Sequence, residues 1–175
     1  MRWSVHLGDL LDVPADVLVC SGNVYLNLSG GVGGALLLRY GPDMQEHLHR
    51  HLKDLGVRHV PRGKIVSVPP CGTPYHTVIH AVGVDGAYET SVEILREIVE
   101  RCLAEAAQQG AKTVALTAIG TGYGRMTAAN FGRAIAPLIA VDVPPIERVI
   151  VGLRSAADVE ELCEQAPSLE RMADV

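Results

Sequence analysis

The chain has 175 residues, 48% hydrophobic and 4% aromatic, so a single domain with a core of Val, Leu, Ile and Ala is expected. Its formal net charge is −5, and no run of Lys or Arg offers a footprint for duplex nucleic acid or an anionic membrane. Cys20, Cys71, Cys102 and Cys163 form no C-x-x-C pair, and neither a signal peptide nor a long apolar span stands out, so the expectation is a reduced, soluble, cytoplasmic protein.

Residues 2–7 alternate weakly and predict an opening strand at the sheet edge, after which Gly8-Asp9-Leu10-Leu11 turns the chain. The β-branched run 17–20 reads as a buried strand. Turn formers follow it, then the cluster Gly30-Gly31-Val32-Gly33-Gly34 running into a helix that Gly41-Pro42 stops. Pro42 opens a second helix over residues 43–55. Residues 64–68 and 77–84 are strands, separated by a loop rich in Gly and Pro.

The clearest helix spans residues 91–109, with Val92, Leu95, Ile98, Val99, Cys102, Leu103 and Ala106 on one face and Thr90 or Ser91 as its cap. A strand over 113–119 enters a second glycine loop, Gly120-Thr121-Gly122-Tyr123-Gly124, followed by a helix over 127–140. Residues 148–153 form the last strand, Ser155 caps a final helix ending near Gln165, and the core is expected over about 2–165, with 167–175 frayed.

Strands alternating with helices predict a three-layer α/β/α sandwich around a mixed, mostly parallel sheet. Both glycine loops follow strands and precede helices. Free backbone N–H groups and the helix dipole at such places bind anions without a basic side chain. In an open α/β sheet, ligands sit beyond the strands' carboxyl ends, and two such loops at one crevice suit a diphosphate. Common phosphate motifs do not account for them. In G-x-G-x-x-G, counting from Gly31 puts Leu36 at the sixth position and counting from Gly120 puts Arg125 there, and no G-x-x-x-x-G-K-[ST] occurs.

Four segments in order carry a resemblance to the macrodomain family, whose members bind ADP-ribose. They are Gly8-Asp9; residues 17–34; Val78-Ile79-His80-Ala81-Val82-Gly83; and residues 119–124. Asn23-Val24-Tyr25-Leu26 followed by Gly30-Gly31-Val32 is closest to the viral members. The resemblance implies the family's α/β/α sandwich and assigns roles. Asp9, with Leu10 beside it, meets the adenine amino group, and Asn23 meets the distal ribose and serves turnover in hydrolytic members. Gly30, Gly31, Val32 and Gly34 wrap the distal ribose and one phosphate. Gly120, Thr121, Gly122, Tyr123 and Gly124 form the second phosphate loop, with Tyr123 one position earlier than the family's aromatic.

Departures bear on catalysis. Cys20 stands where many members have asparagine, Gly33 where the MacroD-type hydrolases have aspartate, and Leu28 where viral members often have histidine. The implied ligand is ADP-ribose or a mono-ADP-ribosylated macromolecule, with no cofactor, no metal, no membrane and no general nucleic-acid-binding surface. Two classes stay open: a non-catalytic reader, and a hydrolase of mono-ADP-ribose or O-acetyl-ADP-ribose, including Appr-1-p processing. Taken without the family, Asp9 reads as a turn residue, Asn23 as a loop residue and Cys20 as packing. His47, His49 and His51 read as a solvated helix face and His80 as a core histidine.

Overall fold

Capping residues at helix starts set many of the boundaries in the computed structural model, which describes residues 1–172. The elements are β1 (Arg2–Leu7), a 3-10 turn (Leu10–Asp12), β2 (Val17–Gly22), α1 (Gly31–Tyr40), α2 (Asp43–Asp54), β3 (Ile65–Val68) and β4 (Thr77–Val82). There follow α3 (Val92–Gln108), β5 (Thr113–Thr117), α4 (Ala128–Ile139), β6 (Arg148–Leu153), α5 (Ala156–Gln165) and β7 (Glu170–Arg171). The Ser91 hydroxyl accepts from the Ile94 N–H to start α3, Thr127 and Asn130 form a capping box for α4, and Ser155 caps α5.

The seven-stranded sheet has the order β3-β4-β2-β5-β6-β1-β7, with β3 antiparallel to β4 and every other pairing parallel. Along β2 the side chains alternate between layers. Val17 and Val19 join the core beneath α3, α4 and α5, whereas Leu18 and Cys20 join the core beneath α1 and α2. A sheet covered on both faces needs apolar residues at nearly every strand position, which is why its central strands read as continuous hydrophobic runs. The predicted face of α3 is buried from Leu95 to Ala106, and each fully buried Leu or Ile there contributes about 1.5–3 kcal/mol over exposure. Among the described residues no helix is long and apolar enough to cross a membrane.

The expected architecture is observed, with four local differences. β1 is not the edge: β6 and β7 flank it, with Ser4 opposite Glu170 and Val5 opposite Arg171. Residues 167–172 are accordingly not frayed, since Leu169 is buried and the Met172 N–H donates to the Val5 carbonyl at 3.0 Å. The rest of that expectation, residues 173–175, lies outside the described residues. α1 starts at Gly31, inside the glycine cluster, because Gly34 N–H already reaches Gly30 O at 2.8 Å. β4 and β5 end two residues earlier than expected, at Val82 and Thr117, where the chain turns out of the sheet to form the site.

Candidate functional site

Beyond the carboxyl ends of the parallel strands, the connecting loops enclose a cavity of about 480 Å³, within the usual range of small-molecule sites. On one side it meets the start of α1. Gly30 (φ +65°) and Gly31 (φ +50°) take left-handed conformations that only glycine holds without strain. No side chain caps this helix, unlike α3, α4 and α5. The amides of Gly31, Val32 and Gly33 precede the first helical bond and have no intrahelical acceptor, so they stand ready for an anion.

The second glycine loop forms the facing wall. Gly120 has φ +86°, and the Thr121 hydroxyl donates to the Ala118 carbonyl at 2.8 Å. Gly124 lies directly on the Gly120 carbonyl, leaving no room for a β-carbon. This fold-back carries Tyr123 across to Gly30, where its hydroxyl would lie 2.6 Å from a β-carbon. Tyr88, from the loop after β4, stands 6.1 Å from Tyr123 between ring centroids, so two largely exposed aromatic rings flank the cavity mouth.

Asn23 is committed to its own loop. Its Nδ2 donates to the Asn27 carbonyl at 2.7 Å, and its Oδ1 accepts from the N–H groups of Tyr25 (3.0 Å) and Asn27 (3.2 Å). At the opposite end Asp9 caps the 3-10 turn by accepting from Leu11 N–H at 3.0 Å. Its other oxygen pairs with Arg39 (3.1 Å) and Arg154 (3.3 Å). The floor includes Thr117, whose hydroxyl is buried without a partner among the described residues.

Of the residues singled out in the sequence, Leu10, Asn23, Gly30, Gly31, Val32, Gly120, Thr121, Gly122 and Tyr123 line this one cavity. Asp9, Gly34 and Gly124 adjoin lining residues without lining the cavity themselves: Asp9 sits in its ion pairs beside Gly8 and Leu10, Gly34 in the first turn of α1, and Gly124 against Gly120. Sequence reading passed over Asn27, Tyr88, Thr117, Arg154 and Asp158, which also line it. Arg154 follows directly on β6 and Asp158 lies in the first turn of α5, so their place after a predicted parallel strand was the available signal. Cys20 is fully buried and its thiol is pushed up to about 12 by desolvation, which rules out a ready nucleophile. Among the described residues no group of three or more His, Cys, Asp or Glu is arranged to hold a metal ion.

The sequence model of one family, the Macro domain, matches residues 19–134. The chain belongs to the macro domain family. An O-acetyl-ADP-ribose deacetylase of Enterobacter cloacae is 36% identical to it over 138 residues, 77% of this chain and 72% of that protein. An uncharacterized protein of Pyrobaculum aerophilum is 36% identical over 115 residues, 66% of this chain. The match spans 62% of that relative's own length. The solved structure of an Oceanobacillus iheyensis macrodomain with ADP has the same fold, with a TM-score of 0.81 and 21% identity over 92% of this chain and 87% of that one.

Chemically, the site of this macro domain divides in two. The end between α1 and the second glycine loop offers uncommitted amides and no cationic side chain, which suits a phosphate held by backbone. At the end near Asp9, Leu10, Arg154 and Asp158, charged and apolar groups stand together as they do where a polar planar group is recognised. Among the described residues no carboxylate or imidazole lines the α1 end, where Gly33 forms part of the wall and Leu28 is buried.

Proposed function

We propose that this macro domain binds ADP-ribose, free or as a mono-ADP-ribosyl group on a macromolecule, and hydrolyses ester-linked ADP-ribose slowly. One observation carries the reading: two amide-bearing glycine loops face a single cavity from separate strand ends, with Tyr123 reaching from one loop to Gly30 of the other. In this reading the α1 and Gly120–Gly124 amides take the diphosphate. Asp9 and Leu10 meet the adenine, and Asn23, Gly30, Gly31, Val32 and Tyr123 surround the distal ribose. Gly34 and Gly124 shape the two loops. The deacetylase name of the Enterobacter relative and the ADP in the Oceanobacillus structure support the ligand class. The net negative charge argues against a general nucleic-acid surface, and a cytoplasmic setting fits the unpaired cysteines.

For hydrolysis, a water held against a substrate phosphate oxygen attacks the anomeric carbon of the distal ribose. The bond to the ester oxygen breaks, the carboxylate leaves with the bonding electrons, and the water's proton passes to the phosphate. Positioning of this kind lowers the barrier, while a side-chain base would typically add 10²–10⁴-fold, so turnover is slow. The same pocket, with water directed at the acyl carbon, would deacetylate O-acetyl-ADP-ribose. A second reading, a pure reader, is favoured by the three hydrogen bonds that tie the Asn23 side chain to its own loop.

Calorimetry with ADP-ribose tests the binding: a dissociation constant of about 1 μM, or about −8 kcal/mol, is expected. No heat and no thermal shift with millimolar ligand would refute reader and hydrolase together. Release assays on ester-linked mono-ADP-ribose and O-acetyl-ADP-ribose then separate the two.

A further inference from the structure

Outside the cavity, α2 carries a side chain that substitutes for backbone. Gln45 Nε2 donates to the Leu26 carbonyl at 2.9 Å, and Gln45 Oε1 accepts from the Leu28 N–H at 2.6 Å. This pair of bonds, flanking residue 27, is the one a parallel strand would make. One helical turn on, His49 Nε2 lies 2.9 Å from Asn27 Oδ1. Gln45 and His49 are presented together because Met44, Leu48 and Leu52 bury the adjoining stripe of α2 and fix its rotation. What they hold is a loop that does not hold itself. Leu26 has φ +53°, a left-handed conformation a leucine keeps only where its surroundings determine it. Burial of Leu26 and Leu28 supplies adhesion but not direction, whereas paired hydrogen bonds at fixed angles supply direction.

From the cavity side Asn23 grips the same residue, Asn27, through its carbonyl and N–H. Asn27 is thus held between an asparagine inside the site and a histidine outside it, with Gln45 bonded to the residues on either side of it. Three residues after Asn27 the chain enters Gly30 and the free amides of α1.

We propose that Gln45, seconded by His49, is a positioning residue. It sets the 23–29 loop so that Asn27, Asn23 and the first amides of α1 face one ligand. For the choice of ligand in its test, this rests on the ADP-ribose reading above.

Two variants separate positioning from mere support. Gln45→Leu removes both bonds and should weaken ADP-ribose by about tenfold. Gln45→Glu loses the donor at about pH 7.5 and sets a carboxylate against the Leu26 carbonyl, so it should bind as weakly as Gln45→Leu there. At about pH 5 the same glutamate, its ionisation disfavoured by that carbonyl, takes up a proton and regains the donor. Affinity should then return to within about threefold of wild type at the same pH, a rescue that a space-filling role does not produce. In ligand-free protein the Leu28 amide should exchange at least about tenfold faster in Gln45→Leu than in wild type.

Variants that fold and bind within about twofold of wild type at both pH values overturn the proposal. If Gln45→Leu fails to fold, Gln45→Glu decides, and absence of acid rescue overturns it. If wild type itself binds no ADP-ribose, the proposed function falls. The clamp is then judged by the Leu28 amide alone, in wild type against Gln45→Glu at about pH 7.5: faster exchange in the variant supports it and unchanged exchange overturns it.

Discussion

The phenol of Tyr123 occupies the space that a β-carbon on Gly30 would need, with the hydroxyl 2.6 Å and Cε2 2.8 Å from that position. The two glycine loops are therefore matched to each other as well as to a ligand. Gly30→Ala should push the ring away and also strain the backbone, since φ +65° with ψ 172° is a region essentially reserved for glycine. We expect affinity for ADP-ribose to fall by about tenfold or more. Combining it with Tyr123→Ala should cost less than the sum of the two single changes, and a double-mutant cycle by calorimetry measures that coupling.

Gly31 differs from its neighbour. Apart from its chain neighbours and its own helix backbone, no atom of the described residues lies within 4 Å of a β-carbon placed there, so a side chain enters open space where the anion is expected. Gly31→Glu should keep the fold, with a melting temperature lowered by a few degrees for the φ +50° strain, and should abolish ADP-ribose binding by like-charge repulsion. Gly122→Glu, also open but without a positive φ, should likewise abolish binding while leaving the melting temperature near that of wild type. Circular dichroism and calorimetry on the same samples check the pair.

Asp9 has two tasks in this structure. Its carboxylate caps the 3-10 turn and gathers Arg39 and Arg154, so replacing it disturbs the fold locally as well as the base end of the cavity. Asp9→Ala should destabilise by about 1 kcal/mol through the lost cap and weaken ADP-ribose at least about tenfold. Ribose 5-phosphate, if adenine is what Asp9 reads, should bind unchanged. Equal loss for both ligands assigns Asp9 to the fold alone.

Asn23→Ala removes three hydrogen bonds within residues 23–27. If the side chain acts only by holding the loop, binding and release of ester-linked ADP-ribose should fall together. If it orients the distal ribose in the transition state, release should fall much further than affinity. Single-turnover release at saturating protein distinguishes the two.

Acid should act first on His80. It is buried on β4, its Nε2 has no partner among the described residues, and desolvation lowers its pKa to about 4. The unfolded chain takes up a proton at its ordinary value of about 6.5 while the folded one resists, so stability falls between those values by about 3 kcal/mol. His80→Leu should flatten urea-denaturation stability across that window. Asp16 acts at lower pH. Burial opposes its ionisation, but N–H bonds from Lys112 (2.8 Å) and Thr113 (2.9 Å) and the nearby His76 hold its pKa below the ordinary value. Its stabilisation is present above about pH 4 and is lost as pH falls through the depressed folded value.

The parts that were legible in the chain were those with local chemistry. Ser91, Thr127 and Ser155 mark helix starts because a hydroxyl there satisfies an N–H a few residues away. The glycine loops stood out because positive φ at Gly30, Gly31 and Gly120 restricts the residue type. Tyr88 and Thr117 were not legible, since each meets the cavity only after the sheet order brings β4 and β5 beside β2. The β7 pairing was hidden for another reason: Glu170-Arg171 is polar and two residues long, and its ladder is directed by the burial of Leu169 just before it. His49 read as a solvated face, and it is exposed, yet its ring reaches Asn27 from across the chain.

The cavity wall begins at Gly8 and ends at Asp158, with contributions from the ends of strands that are neighbours in the sheet but far apart along the chain. β2 has β4 and β5 at its two sides, and the loops that follow these strands meet only when both pairings are made. A ligand of this cavity therefore has nothing to recognise until assembly is nearly complete, and it cannot recruit partly built states. Ligand thus stabilises the finished fold alone, by about 2.7 kcal/mol at a hundredfold excess over the dissociation constant. Occupancy of the cavity and resistance of the entire chain to unfolding are then a single equilibrium, read equally well from either side.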